Sequence, residues 1–275
     1  MEVALAALIG LVVGSFVTMV VDRVPDGIAL FERPRCPHCE HDLAARDLVP
    51  VASWIALRGR CRFCDEQITP AYPAVEIVTA ALFAAATARF GTTWVLVPFL
   101  VLFAMLVAVS VVDLYDYRIP DRIVFPTLAL SIPLVVAISF YEELPEAAVW
   151  AVGGALFFAG VLFFTSLLPG GGMGMGDVKL ALVLGFYLGW LGSNLRGMVL
   201  LVFSALLIGS LLGVVMGLGV GALRLRFGRD ALPDPDADDG ELATTSWTKQ
   251  PFPFGPSLAL ATVFSVLFSN ALLSR

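Results

Sequence analysis

The chain has 275 residues, of which 59% are hydrophobic and 15% charged, and its mean hydropathy is +0.89. Those values lie outside the range of soluble globular domains and make lipid the expected solvent. The net charge of -6 points to neither nucleic acid nor an anionic membrane surface, because much of the acid falls in one solvated stretch, Asp230 to Glu241.

A membrane-spanning helix needs about 20 mostly apolar residues. Eight stretches of that kind follow in chain order: Val3 to Val21, Tyr72 to Arg89, Thr93 to Val112, Ile123 to Phe140, Ala147 to Leu168, Val178 to Leu191, Gly197 to Leu223 and Pro256 to Leu273. The sixth is short and the second carries Glu76. The first has Glu2 where a signal peptide has a basic segment, so it reads as a retained span. The expected fold class is an all-α polytopic membrane protein of about eight transmembrane helices, with a small cytosolic module between helices 1 and 2. In domain terms, residues 1–21 form the first helix, 22–71 the module, and 72–275 the remaining membrane domain. A cytosolic loop at about 224–252 has the Pro- and Asp-rich composition of a disorder-prone insertion.

Lysines and arginines set the orientation. With both termini outside, 14 of the 17 basic residues fall in cytosolic segments, leaving Arg89, Arg196 and Arg275 outside. The acidic loop Tyr141 to Glu146 then also falls outside. An even number of spans is required for this pattern, which places Asp113, Asp177 and all four cysteines on the cytosolic side.

Within the polar region Asp22 to Pro70, Cys36-Pro-His-Cys39 and Cys61-Arg-Phe-Cys64 are separated by 21 residues. Each CxxC turn directs two thiolates to one point, and two turns complete a tetrahedral zinc site with ligands Cys36, Cys39, Cys61 and Cys64. A closed four-thiolate site leaves no open position, so this zinc is expected to be structural, organising a module too small to depend on its own core. A redox thiol pair or another metal is the alternative. His38 and His41 read as exposed neighbours of the first turn, with substitution as ligands the other reading.

Ionisable residues in or near spans are functional candidates by default. Asp113 closes the third span, and Asp177 opens the sixth after Gly172-Met173-Gly174-Met175-Gly176. The topology puts both at similar depth, where they can face one another. Two adjacent carboxylates share one proton, so one acts as base toward water while the other polarises a scissile carbonyl: the requirement of aspartic proteolysis. The glycines permit non-helical backbone and close approach of a substrate strand. Asp116 and Asp121 read as a helix cap or interface anchor, and Lys179 either pairs with Asp177 or marks the cytosolic boundary. The glycine run lacks the G-K-[ST] ending of a phosphate-binding loop.

Together the motifs resemble the bifunctional prepilin peptidases, GxGD-type intramembrane aspartic proteases. The resemblance runs through Gly14-Ser15-Phe16, Arg23-Val24-Pro25, Pro34-Arg35-Cys36-Pro37-His38-Cys39 and Leu57-Arg58-Gly59-Arg60-Cys61-Arg62-Phe63-Cys64. It continues with Tyr72-Pro73-Ala74-Val75-Glu76, Asp113 with Pro120-Asp121, Gly174-Met175-Gly176-Asp177-Val178-Lys179 and Pro253-Phe254-Gly255-Pro256. The family usually has asparagine where this chain has Thr18.

The resemblance implies that Asp113 and Asp177 are the catalytic aspartates. It also implies a bacterial inner-membrane enzyme acting from the cytosolic side on type IV prepilins or type II secretion pseudopilins. Cleavage after a glycine would be followed by N-methylation of the new terminal residue from S-adenosylmethionine. The cysteine module is associated with that second activity, and Gly59, between Arg58 and Arg60, occupies a family position implicated in it. Glu76 has two readings: a contact for the sulfonium or the new amine, or a partner of Arg58 or Arg60 that positions the module. A peptidase whose zinc module only recruits substrate, and an ion-coupled transporter, are the competing functions; oligomeric state is not specified by the sequence.

Overall fold

The computed structural model describes residues 1–25, 27–30, 32–168, 174–227 and 254–273. Its helices are α1 (Glu2–Arg23), α2 (Ala52–Ala56), α3 (Ala71–Phe90), α4 (Leu96–Asp116), α5 (Asp121–Tyr141), α6 (Pro145–Ser166), α7 (Met175–Gly192), α8 (Leu195–Phe227), α9 (Gly255–Leu267) and α10 (Ser269–Leu273). Seven of them are long and apolar enough to cross a membrane. The expected spans match these helices to within a few residues, except the eighth. There α9 has 13 residues, about 20 Å at about 1.5 Å per residue and short of the about 30 Å hydrocarbon. The helix breaks at Phe268 and α10 adds a further 5 residues. Most of the expected loop at 224–252 lies outside the described residues, as do Gly172 and Met173 of the glycine run.

The chain forms two compact units. The first comprises residues 1–111 and 122–138. Here α1 lies against α3 through a Gly-x-x-x-Gly stripe. A Cβ on Gly10 would stand 2.6 Å from the Ala80 Cα, and one on Gly14 2.6 Å from the Glu76 Cα. Small residues at such a seam let backbones touch, which is how helices associate where lipid supplies no hydrophobic drive. After α1 the chain folds back around Arg23, whose guanidinium donates to the carbonyls of Leu30 and Glu32 at 2.8 Å. Tyr72, at the start of α3, donates its hydroxyl to Asp22 at 2.7 Å. Phe90 stacks on Phe99 with ring centroids 4.4 Å apart.

The second unit comprises residues 112–121 and 139–275. Its centre is α7, with Leu180, Ala181, Leu184, Tyr187 and Leu188 fully buried. It packs on α6, α8 and α9. The α6–α7 seam is again glycine on glycine: a Cβ on Gly154 would meet the Gly185 carbonyl oxygen and stand 2.8 Å from the Gly189 Cα. Trp190 donates its indole N–H to Ser139 at 2.9 Å, giving a polar tie inside an apolar interior.

Candidate active site and cysteine centre

Asp113 lies one turn from the end of α4 and is 5% exposed; Asp177 lies in the first turn of α7 and is 9% exposed. The two carboxylates are within electrostatic range of one another. Asp116 is exposed, and Asp121 bonds Lys179 through both carboxylate oxygens at 2.8 Å. Burial therefore separates Asp113 from its two acidic neighbours. Lys179, read from the sequence either as a partner of Asp177 or as a boundary residue, bonds Asp121.

Each buried aspartate meets a helix N-terminus. Gly174 is the N-cap of α7, its backbone N–H reaches the Asp177 carboxylate, and Asp177 returns its own N–H to the Gly174 carbonyl at 3.1 Å. This is half of a capping box, with the side chain at the third helical position reaching back to the cap. Asp113 accepts the N–H of Gly255, the first residue of α9, on Oδ2 at 2.9 Å. A Cβ on Gly255 would stand 2.7 Å from that oxygen. Unpaired N–H groups at a helix start carry partial positive charge, so α7 and α9 both present it to the carboxylates. Gly255 was quoted in the sequence only as part of a motif. Its role as a donor was not legible there, because the contact joins residues 142 apart.

In the first unit the four cysteines converge: their sulfurs all lie within 4.8 Å of one another, with Cys36 and Cys64 Sγ 3.8 Å apart. A zinc ion with bonds of about 2.3 Å sets tetrahedral sulfurs about 3.8 Å apart, so the cluster fits the metal. The two CxxC turns are copies of one another. Cys36 donates its N–H to the His41 carbonyl and Cys61 to that of Glu66; Glu40 and Asp65, each following a turn's second cysteine, have φ of 56° and 59°. Bridges Arg35–Asp42 and Arg60–Gln67 close the two turns. The backbone N–H groups of Cys64 and Phe63 lower the Cys61 thiol and favour its thiolate, while at Cys64, against the backbone N–H of Glu66, burial and the adjoining thiols push the thiol up. His41 packs at a tilt against Phe63 with ring centroids 3.7 Å apart, and neither histidine joins the sulfur cluster.

Beside the cluster is an open cavity of about 270 Å³ lined by Trp54, Arg58, Gly59, Arg60, Gln67 and Ile68, among others. Arg58, Gly59 and Arg60 all line this cavity. Gly59 has φ of +68°, and a Cβ there would stand 2.8 Å from the Trp54 ring. Arg60 pairs with Asp65 at 3.0 Å. Glu76 is not in the cavity lining: its Oε2 accepts the backbone N–H of Val51, the N-cap of α2, at 2.6 Å. It ties the module to α3 through a backbone group of the module, not through Arg58 or Arg60.

Two family profiles match the chain: the bacterial peptidase A24 N-terminal domain over residues 8–90 and the type IV leader peptidase family over residues 100–218. The chain belongs to the type IV leader peptidase family. Among its relatives, it is 33% identical to a prepilin leader peptidase/N-methyltransferase of Burkholderia pseudomallei, over 98% of this chain and 86% of that one. It is 33% identical to the Bacillus subtilis protein of the same name, over 96% and 94% of the two chains. The Pseudomonas aeruginosa protein of that name is 31% identical over 96% and 89%. No solved structure matches the chain.

Proposed function

We propose that this multi-pass membrane protein cleaves the leader of a type IV prepilin or type II secretion pseudopilin and N-methylates the residue so exposed. The observation that carries the peptidase reading is the buried pair Asp113 and Asp177, each held at a helix N-terminus. Two carboxylates this near share one proton. The ionised one takes a proton from a water molecule, whose oxygen attacks the scissile carbonyl while the protonated one donates to the carbonyl oxygen. As the C–N bond breaks, a proton passes to the leaving amine and the pair returns to its starting charge. Gly255 fixes Oδ2 of Asp113 throughout, and the bond from Gly174 holds Asp177.

For methylation, S-adenosylmethionine supplies the methyl group when bound. The cavity lined by Arg58, Arg60 and Trp54 supplies a cationic side chain for the donor's carboxylate in Arg58, Arg60 being shared with Asp65, and an apolar wall in Trp54. Zinc on Cys36, Cys39, Cys61 and Cys64 is structural and fixes the cavity's frame. Glu76 anchors that frame through Val51. The excess of Lys and Arg in the segments flanking Asp113, Asp177 and the cysteines supports a cytosolic location for both sites in a bacterial inner membrane. With α9 and α10 crossing together, both termini lie outside.

The test is the purified protein in liposomes with a pilin precursor and S-adenosylmethionine, the product being weighed. Leader loss together with the mass of one added methyl group is expected. Leader loss alone would leave a peptidase whose cysteine module recruits substrate. Asp113→Asn and Asp177→Asn should each abolish cleavage in inserted, folded protein; cleavage by either variant at the normal rate would sink the assignment.

A further inference from the structure

Asp113 and Asp177 are carried by helices that must be registered to a fraction of an ångström, yet nothing covalent joins them nearby. The turn that follows α4 supplies the contact. Tyr117 leaves the helix at φ of +52°, and Ile119 then lies over the first turn of α7, 3.1 Å from where a Cβ on Gly176 would stand. Asp121, opening α5, receives Lys179 Nζ on both oxygens at 2.8 Å. Gly176 and Lys179 bracket Asp177. Two residues along an α-helix is a rotation of about 200°, so Lys179 reaches Asp121 from a different side of α7 than the one carrying Asp177.

We propose that Asp121 and Lys179 are positioning residues that set the separation and depth of Asp113 relative to Asp177. This rests on the peptidase reading above. An exposed ion pair adds little to stability, and here Asp121 and Lys179 side chains are 52% and 33% exposed. The value of a two-oxygen bond lies in direction: it stops the turn from sliding along α7 or rotating away from it, with Ile119 on Gly176 as the fulcrum. Misplacement of catalytic groups by about 1 Å costs about 100-fold in rate.

The test uses the full chain in liposomes with a prepilin peptide and four variants: Lys179→Met, Lys179→Arg, Asp121→Asn, and Lys179→Met with Asp121→Asn. Lys179→Met and Asp121→Asn should each lower kcat for cleavage about 10- to 100-fold with KM changed less than about threefold. The double variant should fall no further than the worse single, and Lys179→Arg should stay within about threefold of the parent, because one bond is shared by both residues. The pH–rate profile of the single variants should move, since the titration of a carboxylate pair depends on its separation; a merely structural role would leave it in place. Unchanged kcat in the single variants, or losses that multiply in the double, would overturn the proposal. Should Asp113→Asn and Asp177→Asn also cleave normally, the peptidase reading itself fails; if they are inactive while Lys179→Met is unimpaired, only the positioning role falls.

Discussion

Gly255 donates its backbone N–H to Oδ2 of Asp113 at 2.9 Å, joining the start of α9 to the end of α4. A methyl group at Gly255 would stand 2.7 Å from that oxygen, inside contact distance. Gly255→Ala should therefore displace the carboxylate while leaving α9 helical, since alanine favours the helix. Leader cleavage is expected to fall about 10- to 100-fold in kcat, with thermal unfolding little changed. Single-turnover kinetics on the inserted protein would check this.

Glu76 separates two kinds of role by substitution. Glu76→Ala leaves the half-buried Val51 N–H without its acceptor and should weaken the module by about 1 kcal/mol. Glu76→Gln keeps a carbonyl oxygen to accept that N–H and should retain most of the stability. Methyl transfer should follow stability across the two variants, with leader cleavage unaffected in both. Loss of methyl transfer in a stable Glu76→Gln would instead give the charge a direct part in that reaction.

The cysteine cluster should carry one zinc ion per chain, lost on Cys36→Ser and on prolonged chelation. Metal removal should abolish methyl transfer and loosen the segment from Arg35 to Gln67, because metal binding and folding are one equilibrium in so small a module. Elemental analysis with hydrogen exchange of that segment is the measurement. Glu40→Gly and Asp65→Gly should keep the metal, since glycine relieves the positive φ at both turns.

Asp47 gives the module an acid dependence of defined sign. Its Oδ1 accepts Arg62 at 2.9 and 2.6 Å, and this guanidinium bond holds the carboxyl below its ordinary value of 3.8. A carboxyl lowered in the folded state binds more protons when unfolded. Its contribution is therefore complete above the ordinary value and is lost as pH falls through the lowered one. Arg62→Gln should cost about 1 kcal/mol at neutral pH, a figure reduced for the exposure of Arg62. The difference from the parent should shrink only in strong acid. Denaturant unfolding of the two proteins at equal metal content, read by Trp54 fluorescence, would follow it.

Local pattern made most of this fold legible in advance. Runs of about 20 apolar residues gave the helices, because the bilayer sets their length. The CxxC spacing gave the cysteine cluster, because each turn is built within four residues. The apolar run continues past Phe268 to Leu273, so the helix break there carries no signal in the sequence. The contacts of Gly255, Asp121 and Val51 join residues far apart in the chain, and nothing in their neighbours announces the partner. The close seams of Gly10 and Gly14 on α3 and of Gly154 on Gly185 and Gly189 emerge only from the structure, because a helix-packing glycine is not told from any other until its partner is known.

The duplicated cysteine turns have a further consequence. Every backbone bond that shapes one turn recurs in the other 25 positions later, as with Cys36 to His41 and Cys61 to Glu66. The stretch between the turns has no such counterpart, and it holds Asp47, Val51, Trp54 and Arg58. The metal-binding halves behave as a picture frame of fixed size, and the intervening segment as an interchangeable canvas. The insert is tied back at three points, Asp47 to Arg62, Trp54 to the Ile68 carbonyl and Val51 to Glu76, so sequence drift within it is free only between those ties.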